Sequence, residues 1–266
     1  MIRRRREPRD PTGDALRQID AAGDAVRGFC RADVGGLTSW FDDYRSNHRR
    51  RLAFDLDAID PLLRDAGSDG PGLLELGAVP LLLTAALHRR GVAVQAVDVA
   101  PERFAAAIEG LGLDVSRCDI EREALPFADR TFDLVLMNEL FEHLRIQPID
   151  TLEEVFRVLR PGGRLMLSTP NLRSLRGVRN LVLHNQGHAS SAGVYRQYDK
   201  LRRLGHMGHV REYTTFEVCD FLERIGFEVE ELTFRGGHGR GIVGMMERLL
   251  PAWRPFFSVV ARVPAG

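Results

Sequence analysis

Glu75, Gly77 and Asp98 are the residues whose types and spacing speak most directly to chemistry. Leu73-Leu74-Glu75-Leu76-Gly77 is an apolar run that ends in an acid and a glycine, and a second apolar run, 92–97, ends in Asp98. Strand, glycine turn, helix, strand, acid is the order in which an open α/β sheet holds the ribose of an adenosine-bearing ligand. A carboxylate at the end of the second strand can accept from both ribose hydroxyls. A dinucleotide fingerprint starting at Gly77 would need two further glycines, so that backbone could approach a pyrophosphate; the chain has Val79 and Leu82 there. The ligand expected is therefore an adenosine compound without a pyrophosphate, and a nicotinamide dehydrogenase is disfavoured.

A second set of residues could move a proton. His143, in the run Asn-Glu-Leu-Phe-Glu-His-Leu that follows the apolar stretch 132–137, is the first candidate for a general base. His209, beside Arg211 and Tyr213, is the second, and Glu142 the third. Each also reads as an ordinary packing or helix-face residue. His184 with His188, and His206 with His209, have metal-like spacing, but with no acid or cysteine near them no metal site is assigned. Cys30, Cys118 and Cys219 stand apart without CxxC spacing and read as reduced thiols.

These residues need elements to position them. Strands are expected at 73–76, 92–97, 115–118, 132–137 and 164–169, with helices at 80–88, 101–109 and 148–159, the last ended by Pro161-Gly162-Gly163. This βα alternation implies a mostly parallel sheet. Beyond it lie a helix over 214–225 capped by Thr214 or Thr215, a strand over 227–234, a flexible connector over 236–244 and a last strand over 256–263. Upstream, the charged stretch to Pro11 reads as disordered, 14–29 as a helix, and 40–63 as one or two amphipathic helices covering the cofactor side of the sheet. Regularity fails over 171–209, a segment with seven Arg or Lys, a single acid (Asp199) and four histidines. Long irregular segments inside domains are usually functional or disordered, so this one is read as a substrate lid whose arginines would meet an anionic group.

Composition narrows the functional classes. The 37 basic and 37 acidic residues cancel, so no general nucleic-acid field is expected. No apolar stretch is long and uncharged enough for stable membrane insertion; 249–260, with Trp253, Phe256 and Phe257, reads as core packing of the last strand, with contact to a membrane surface as the alternative. The basic N-terminus lacks a following apolar region, which makes a secretory signal unexpected and the cytoplasm the default location.

Five blocks, in order, carry a family resemblance: LLELGAVP from Leu73, VQAVDVAP from Val94, LPFADRTFDLVLMNELFEHL from Leu125, EEVFRVLRPGGRLMLSTPN from Glu153, and more weakly GHVREYTTFEVCDFLERIGFEV from Gly208. Together the chain resembles the class I S-adenosylmethionine (SAM)-dependent methyltransferases, in the group that includes ubiquinone-biosynthesis-type O-methyltransferases. The resemblance implies an α/β fold: a Rossmann-like, doubly wound, seven-stranded, mostly parallel sheet with its last strand antiparallel, plus N-terminal helices. It implies SAM as cofactor, with Glu75, Gly77 and Ala78 at its amino-acid end, Asp98 and Val99 at the ribose, Asp119 and Ile120 at the adenine edge, and Asn138 and Leu140 near the sulfonium. Where the family has a GxGxG turn, this chain keeps Gly77 and has Val79 and Leu81 in the other two places. The domain plan expected is a basic tail over 1–12, a helical cap over 13–70 and a SAM-binding domain over 71–266 with the lid inserted at 173–208. The function expected is methyl transfer to a small-molecule acceptor at a hydroxyl oxygen, the lid arginines suggesting an anionic acceptor. The alternative, prompted by Val79 and Leu81, is a non-catalytic SAM-binding or scaffold protein.

Overall fold

The apolar runs 73–76 and 132–137 become strands buried on both faces. The computed structural model describes residues 4–6, 10–30, 36–64, 72–189, 193–204, 208–237 and 241–265. The chain divides into two compact units, one made of Arg9–Asp119 with Thr131–Leu136, the other of Met1–Pro8, Ile120–Arg130 and Met137–Gly266. Strand β1 (Arg4–Arg6) belongs to the second unit.

The first unit contains α1 (Gly13–Arg27), α2 (Leu37–Arg64), β2 (Leu73–Leu76), α3 (Leu82–Arg89), β3 (Val94–Asp98), α4 (Ala105–Leu111), β4 (Asp114–Arg117) and most of β5 (Phe132–Asn138). Its strands are parallel, in the order β5-β2-β3-β4. Central β2 pairs on both edges, Leu74 lying opposite Gln95 and Val135, and all four of its residues are buried, so both of its faces are covered. That double coverage explains a continuous apolar run in place of an alternating one. Helix α3 is buried from Leu82 through Leu87, apolar but for Thr84, with α1 and α2 packed on it. Thr12 caps α1 by accepting from the Ala15 N–H at 3.1 Å. The single long α2 resolves the one-or-two-helix expectation.

The second unit contains α5 (Pro148–Val158), β6 (Leu159–Pro170), α6 (Leu175–His184), α7 (Val194–Leu204), α8 (Thr215–Ile225), β7 (Glu228–Arg235), α9 (Ile242–Leu249) and β8 (Phe256–Arg262). Its strand order is β1-β7-β8-β6; β8 runs antiparallel to both β6 and β7, and β1 parallel to β7. The doubly wound, mostly parallel sheet is thus present with its last strand, β8, antiparallel, and β1 adds an eighth strand. Helix α8 begins with a capping box, in which Thr214 and Glu217 satisfy each other's backbone N–H.

Several local expectations are corrected. Arg4–Arg6, inside the stretch read as disordered, form β1. Helix α3 starts at Leu82, not at residue 80, because Leu81 takes a left-handed conformation (φ 70°) and donates to the Ala78 carbonyl. A 3₁₀ turn over Pro101–Phe104 precedes α4 where one helix was expected. Pro161-Gly162-Gly163 lies inside β6, since Gly162 donates to Val263 and Val263 donates to Gly163, both at 2.9 Å. The segment read as irregular holds α6 and α7, the former capped by Ser174, which accepts from the Gly177 N–H at 3.1 Å. The connector over 236–244 runs into α9 at Ile242; its residues 238–240 lie outside the described residues.

Candidate functional site

In the first unit the ends of three parallel strands gather most of the expected cofactor residues. Register places Glu75 opposite Ala96, and the N–H groups of Gly77 and Ala78 both donate to the Val97 carbonyl, at 2.8 and 3.3 Å. Gly77 sits at φ 74°, a region that glycine enters without a steric cost. The Asp98 carboxylate accepts from the Val79 N–H at 3.0 Å and from the Ala100 N–H at 2.9 Å. A carboxylate offers about four lone-pair positions, so two amides leave room for further donors. Val79, at the place of a family glycine, therefore still serves the turn through its backbone. Val99 follows, half-buried, and Asp119 comes one residue after Cys118, whose N–H donates to the Asp98 carbonyl at 2.9 Å. Glu75, Gly77, Ala78, Asp98, Val99 and Asp119 are thus neighbours along adjoining strand ends.

Glu75 is buried and accepts from the Thr84 hydroxyl at 2.6 Å. Burial pushes its carboxyl up to about 8; the Thr84 bond opposes this, Asp55 and Asp98 add to it, and Arg51 works against it. Asp55 and Arg51 come from α2, so the N-terminal helices bear directly on the environment of this acid.

In the second unit a different cluster forms around the turn Phe141–His143. His143 and His209, 66 positions apart in the chain, meet with ring centroids 4.7 Å apart and planes at 88°. His143 Nδ1 lies 3.1 Å from the Gly208 carbonyl, an acceptor only, which assigns the proton to Nδ1 and leaves Nε2 as the acceptor nitrogen. His209 Nδ1 faces Glu212 Oε1 at 3.4 Å, and the Glu212 side chain is fully buried. Burial pulls the His209 pKa down, but Glu212, Glu142 and Glu139 outweigh it, so the net shift is upward. Between the rings and β6, Glu142 is buried, accepting from the Thr169 hydroxyl at 2.9 Å through Oε2. Its Oε1 is buried with no hydrogen bond among the described residues. Burial first, then the nearby Glu139, pushes Glu142 up to about 8 against the pull of His209 and Thr169. Glu139, at φ 52°, accepts from Arg235 Nη2 at 3.2 Å and from the Ser168 hydroxyl at 3.3 Å.

The remaining expected residues adjoin this cluster or the start of the unit. Asn138 accepts from Ser168 Oγ at 3.1 Å, and its Nδ2 is buried with no hydrogen bond among the described residues, a donor in want of an acceptor. The Leu140 carbonyl takes the His143 N–H at 2.9 Å, so this residue sets the turn. The Ile120 carbonyl is held by the Thr151 hydroxyl at 3.1 Å. His184 is exposed at the end of α6, while His188 is buried with Nδ1 3.7 Å from Glu212; the two do not make a metal pair. His206 lies outside the described residues. Glu142, His143 and His209 each offer one ligand atom within 4.8 Å of the others, a carboxylate–imidazole set chemically suited to a divalent cation. Sequence spacing paired His209 with His206 and did not join it to His143 or Glu142. It also missed Thr84, Asp55, Thr169, Arg235 and Glu212, which reach their partners from distant segments and leave no local pattern; Glu212, three residues after His209, is the exception.

Residues 74–167 match the family described as methyltransferase domain. A Mycolicibacterium smegmatis protein named "Probable S-adenosylmethionine-dependent methyltransferase" is 32% identical over 124 residues, 47% of this chain and 39% of that protein. A ubiquinone biosynthesis O-methyltransferase of Parvibaculum lavamentivorans is 35% identical over 103 residues, 37% of this chain and 40% of that protein. The chain thus spans less than half the length of these curated relatives. Among solved structures, a SAM-dependent methyltransferase of Thermotoga maritima superposes with a TM-score of 0.54 at 20% identity, over 85% of this chain and 96% of that one, a likeness of fold.

Proposed function

The chain is a relative of the class I SAM-dependent methyltransferases, with SAM the cofactor this kinship implies, and on that premise we propose that it transfers a methyl group from SAM to a hydroxyl oxygen of a small-molecule acceptor. The observation that carries the reading is the Asp98 carboxylate, held by two backbone amides with lone pairs to spare, next to Glu75 and the Gly77 turn inside the matched segment. Asp98 would hold the ribose hydroxyls, Glu75 with Gly77 and Ala78 the amino-acid end, and Asp119 with Val99 and Ile120 the adenosine. The backbone groups of Asn138 and Leu140 would serve the sulfonium end. The sulfonium supplies an activated methyl, so the protein's own work is alignment and removal of one proton. His143 would take that proton; the reading is supported by its Nδ1 contact to the Gly208 carbonyl, which leaves Nε2 as the basic nitrogen, and by His209 packed edge-on against it.

The test has two steps. Thermal unfolding with SAM or S-adenosylhomocysteine, but not NAD, should raise the midpoint by roughly 5 °C at ligand about a hundredfold above Kd. Replacement His143→Gln should then lower kcat for a hydroxyl acceptor by about 10²–10⁴ with the SAM-induced shift retained. A normal kcat in that variant removes His143 from the chemistry. A second reading is favoured by Leu81 and Val79 in the glycine turn: a SAM-binding protein without transferase activity, which would show the thermal shift and no turnover across hydroxyl, amine and carbon acceptors.

A further inference from the structure

A surface helix ordinarily turns its apolar stripe inward. Three helices of the second unit do the reverse. Helix α6 buries Gly177 and Asn180 while Leu181, Val182 and Leu183 face out, the last two 72% and 69% exposed. Helix α7 buries Gln197 and exposes Tyr195 (80%) and Tyr198. Helix α9 buries Gly244 and Glu247 and exposes Ile242, Met245 and Leu249. The inward polar groups are engaged: Asn180 donates to the His188 carbonyl at 2.9 Å, and Gln197 accepts from the His209 N–H at 3.1 Å. The inversion is therefore built in, and an exposed apolar surface of this kind marks an interaction site.

The three helices share one end of the unit's sheet. Pro170, Phe256 and Arg235 are lateral partners, so the chain leaving β6 toward α6 and the chain linking β7 to β8 through α9 depart from the same edge. Asn171 ties the two together, donating to the carbonyls of Ala252 at 2.9 Å and Arg254 at 2.8 Å. Gln197 fastens α7 to His209, whose neighbour Glu142 is bonded to Thr169 on the same edge.

Charge selects the partner. The chain as a whole is neutral, yet residues 171–203 hold seven Arg or Lys and one acid. That acid, Asp199, is held by Arg202 at 2.7 Å and Arg203 at 3.0 Å. Arg173, Arg176, Arg179 and Arg196 are exposed among the outward apolar residues, so the anion they meet lies at a surface. A second copy of the chain would bring two such basic faces together. Outward Leu, Val and Ile flanked by Tyr and Arg match the boundary between anionic headgroups and acyl chains. Among the described residues no helix is long and apolar enough to cross a membrane, so the contact is one of lying on the bilayer.

We propose that α6, α7 and α9 dock the protein on an anionic phospholipid surface. The test is co-sedimentation of the full chain with vesicles of phosphatidylcholine alone and of phosphatidylcholine with phosphatidylglycerol. The protein should sediment with the anionic vesicles, less so at raised salt, and remain in solution with the neutral ones. Arg176→Ala and Arg179→Ala should each lower the partition coefficient about fivefold. The triple variant Leu181→Gln/Val182→Gln/Leu183→Gln should abolish sedimentation while circular dichroism and the SAM-induced thermal shift stay as in the parent, which separates lost docking from lost fold. Absence of sedimentation with anionic vesicles, or equal sedimentation with both kinds, overturns the proposal. So does a dimer in analytical ultracentrifugation that the triple variant converts to monomer, since a second copy would then cover the face.

Discussion

Asp98 joins two tasks that a single side chain can serve only as a carboxylate. Its oxygens order the Gly77 turn through the Val79 amide and the loop after β3 through the Ala100 amide, and in the proposed reading they also receive the ribose hydroxyls. Asp98→Asn keeps the shape but turns one acceptor into a donor that faces a backbone N–H. A hydrogen bond to a charged group is worth about 1.5–3 kcal/mol, so SAM affinity should fall on the order of tenfold to a hundredfold. Titration calorimetry reads this directly, and an unchanged Kd would remove Asp98 from the ribose. Such a residue was legible in the sequence because strand, turn and acid lie within one short βα unit. Glu142 was less so. It ranked below His143 and His209 as a proton carrier, and nothing local announced that burial would raise its carboxyl to about 8. Thr169 and Arg235 reach the same cluster from β6 and β7, and only tertiary structure brings them there.

The first βα unit illustrates what an element can absorb. Leu81 starts α3 in a left-handed conformation, which costs a residue with a Cβ roughly 1–2 kcal/mol. Its side chain is fully buried, and losing a buried leucine costs about 2–5 kcal/mol. Leu81→Gly restores the family residue, but burial wins: the variant should be less stable by about 1–3 kcal/mol, a drop of several degrees in midpoint. A midpoint above the parent's would mean that backbone strain dominates this turn. Buried parallel strands such as β2 and β5 were readable because double coverage writes an unbroken apolar run. Helices α6 and α7 went unread although Leu175, Val178 and Val182, and then Val194, Tyr198 and Leu201, recur at helical spacing, because the many arginines and the break in the βα alternation made the segment read as an irregular lid. Strand β6 ran past Pro161-Gly162-Gly163 because its partner, β8, arrives from about a hundred residues downstream. A proline near a strand's start sacrifices little pairing.

Across the molecule the formal charges cancel, but the titration behaviour does not. Asp20, bonded to Arg49, and Glu154, bonded to Arg157, hold their carboxyls below the usual range. They stabilise the fold above the unfolded carboxylate pKa and lose that contribution as pH falls through their lowered values. Glu75 works in the opposite sense: burial lifts it from 4.5 to about 8, so between those values the folded state binds a proton that the unfolded state has released. Stability therefore falls as pH rises through that window, and Glu142, also raised to about 8, adds to the trend. The ligand-free protein should be most stable near the acidic end, about pH 5, where the lowered acids are ionised and the raised ones are still neutral. Glu75→Gln replaces the neutral form with a permanent neutral isostere that keeps an acceptor for Thr84. Its stability should track the parent's near pH 5 and exceed it increasingly toward pH 8, by a few kcal/mol at the alkaline end. Urea unfolding of both proteins across this range checks the prediction. A difference that stays constant with pH would mean that Glu75 is already ionised in the folded protein, and that Arg51 outweighs the desolvation.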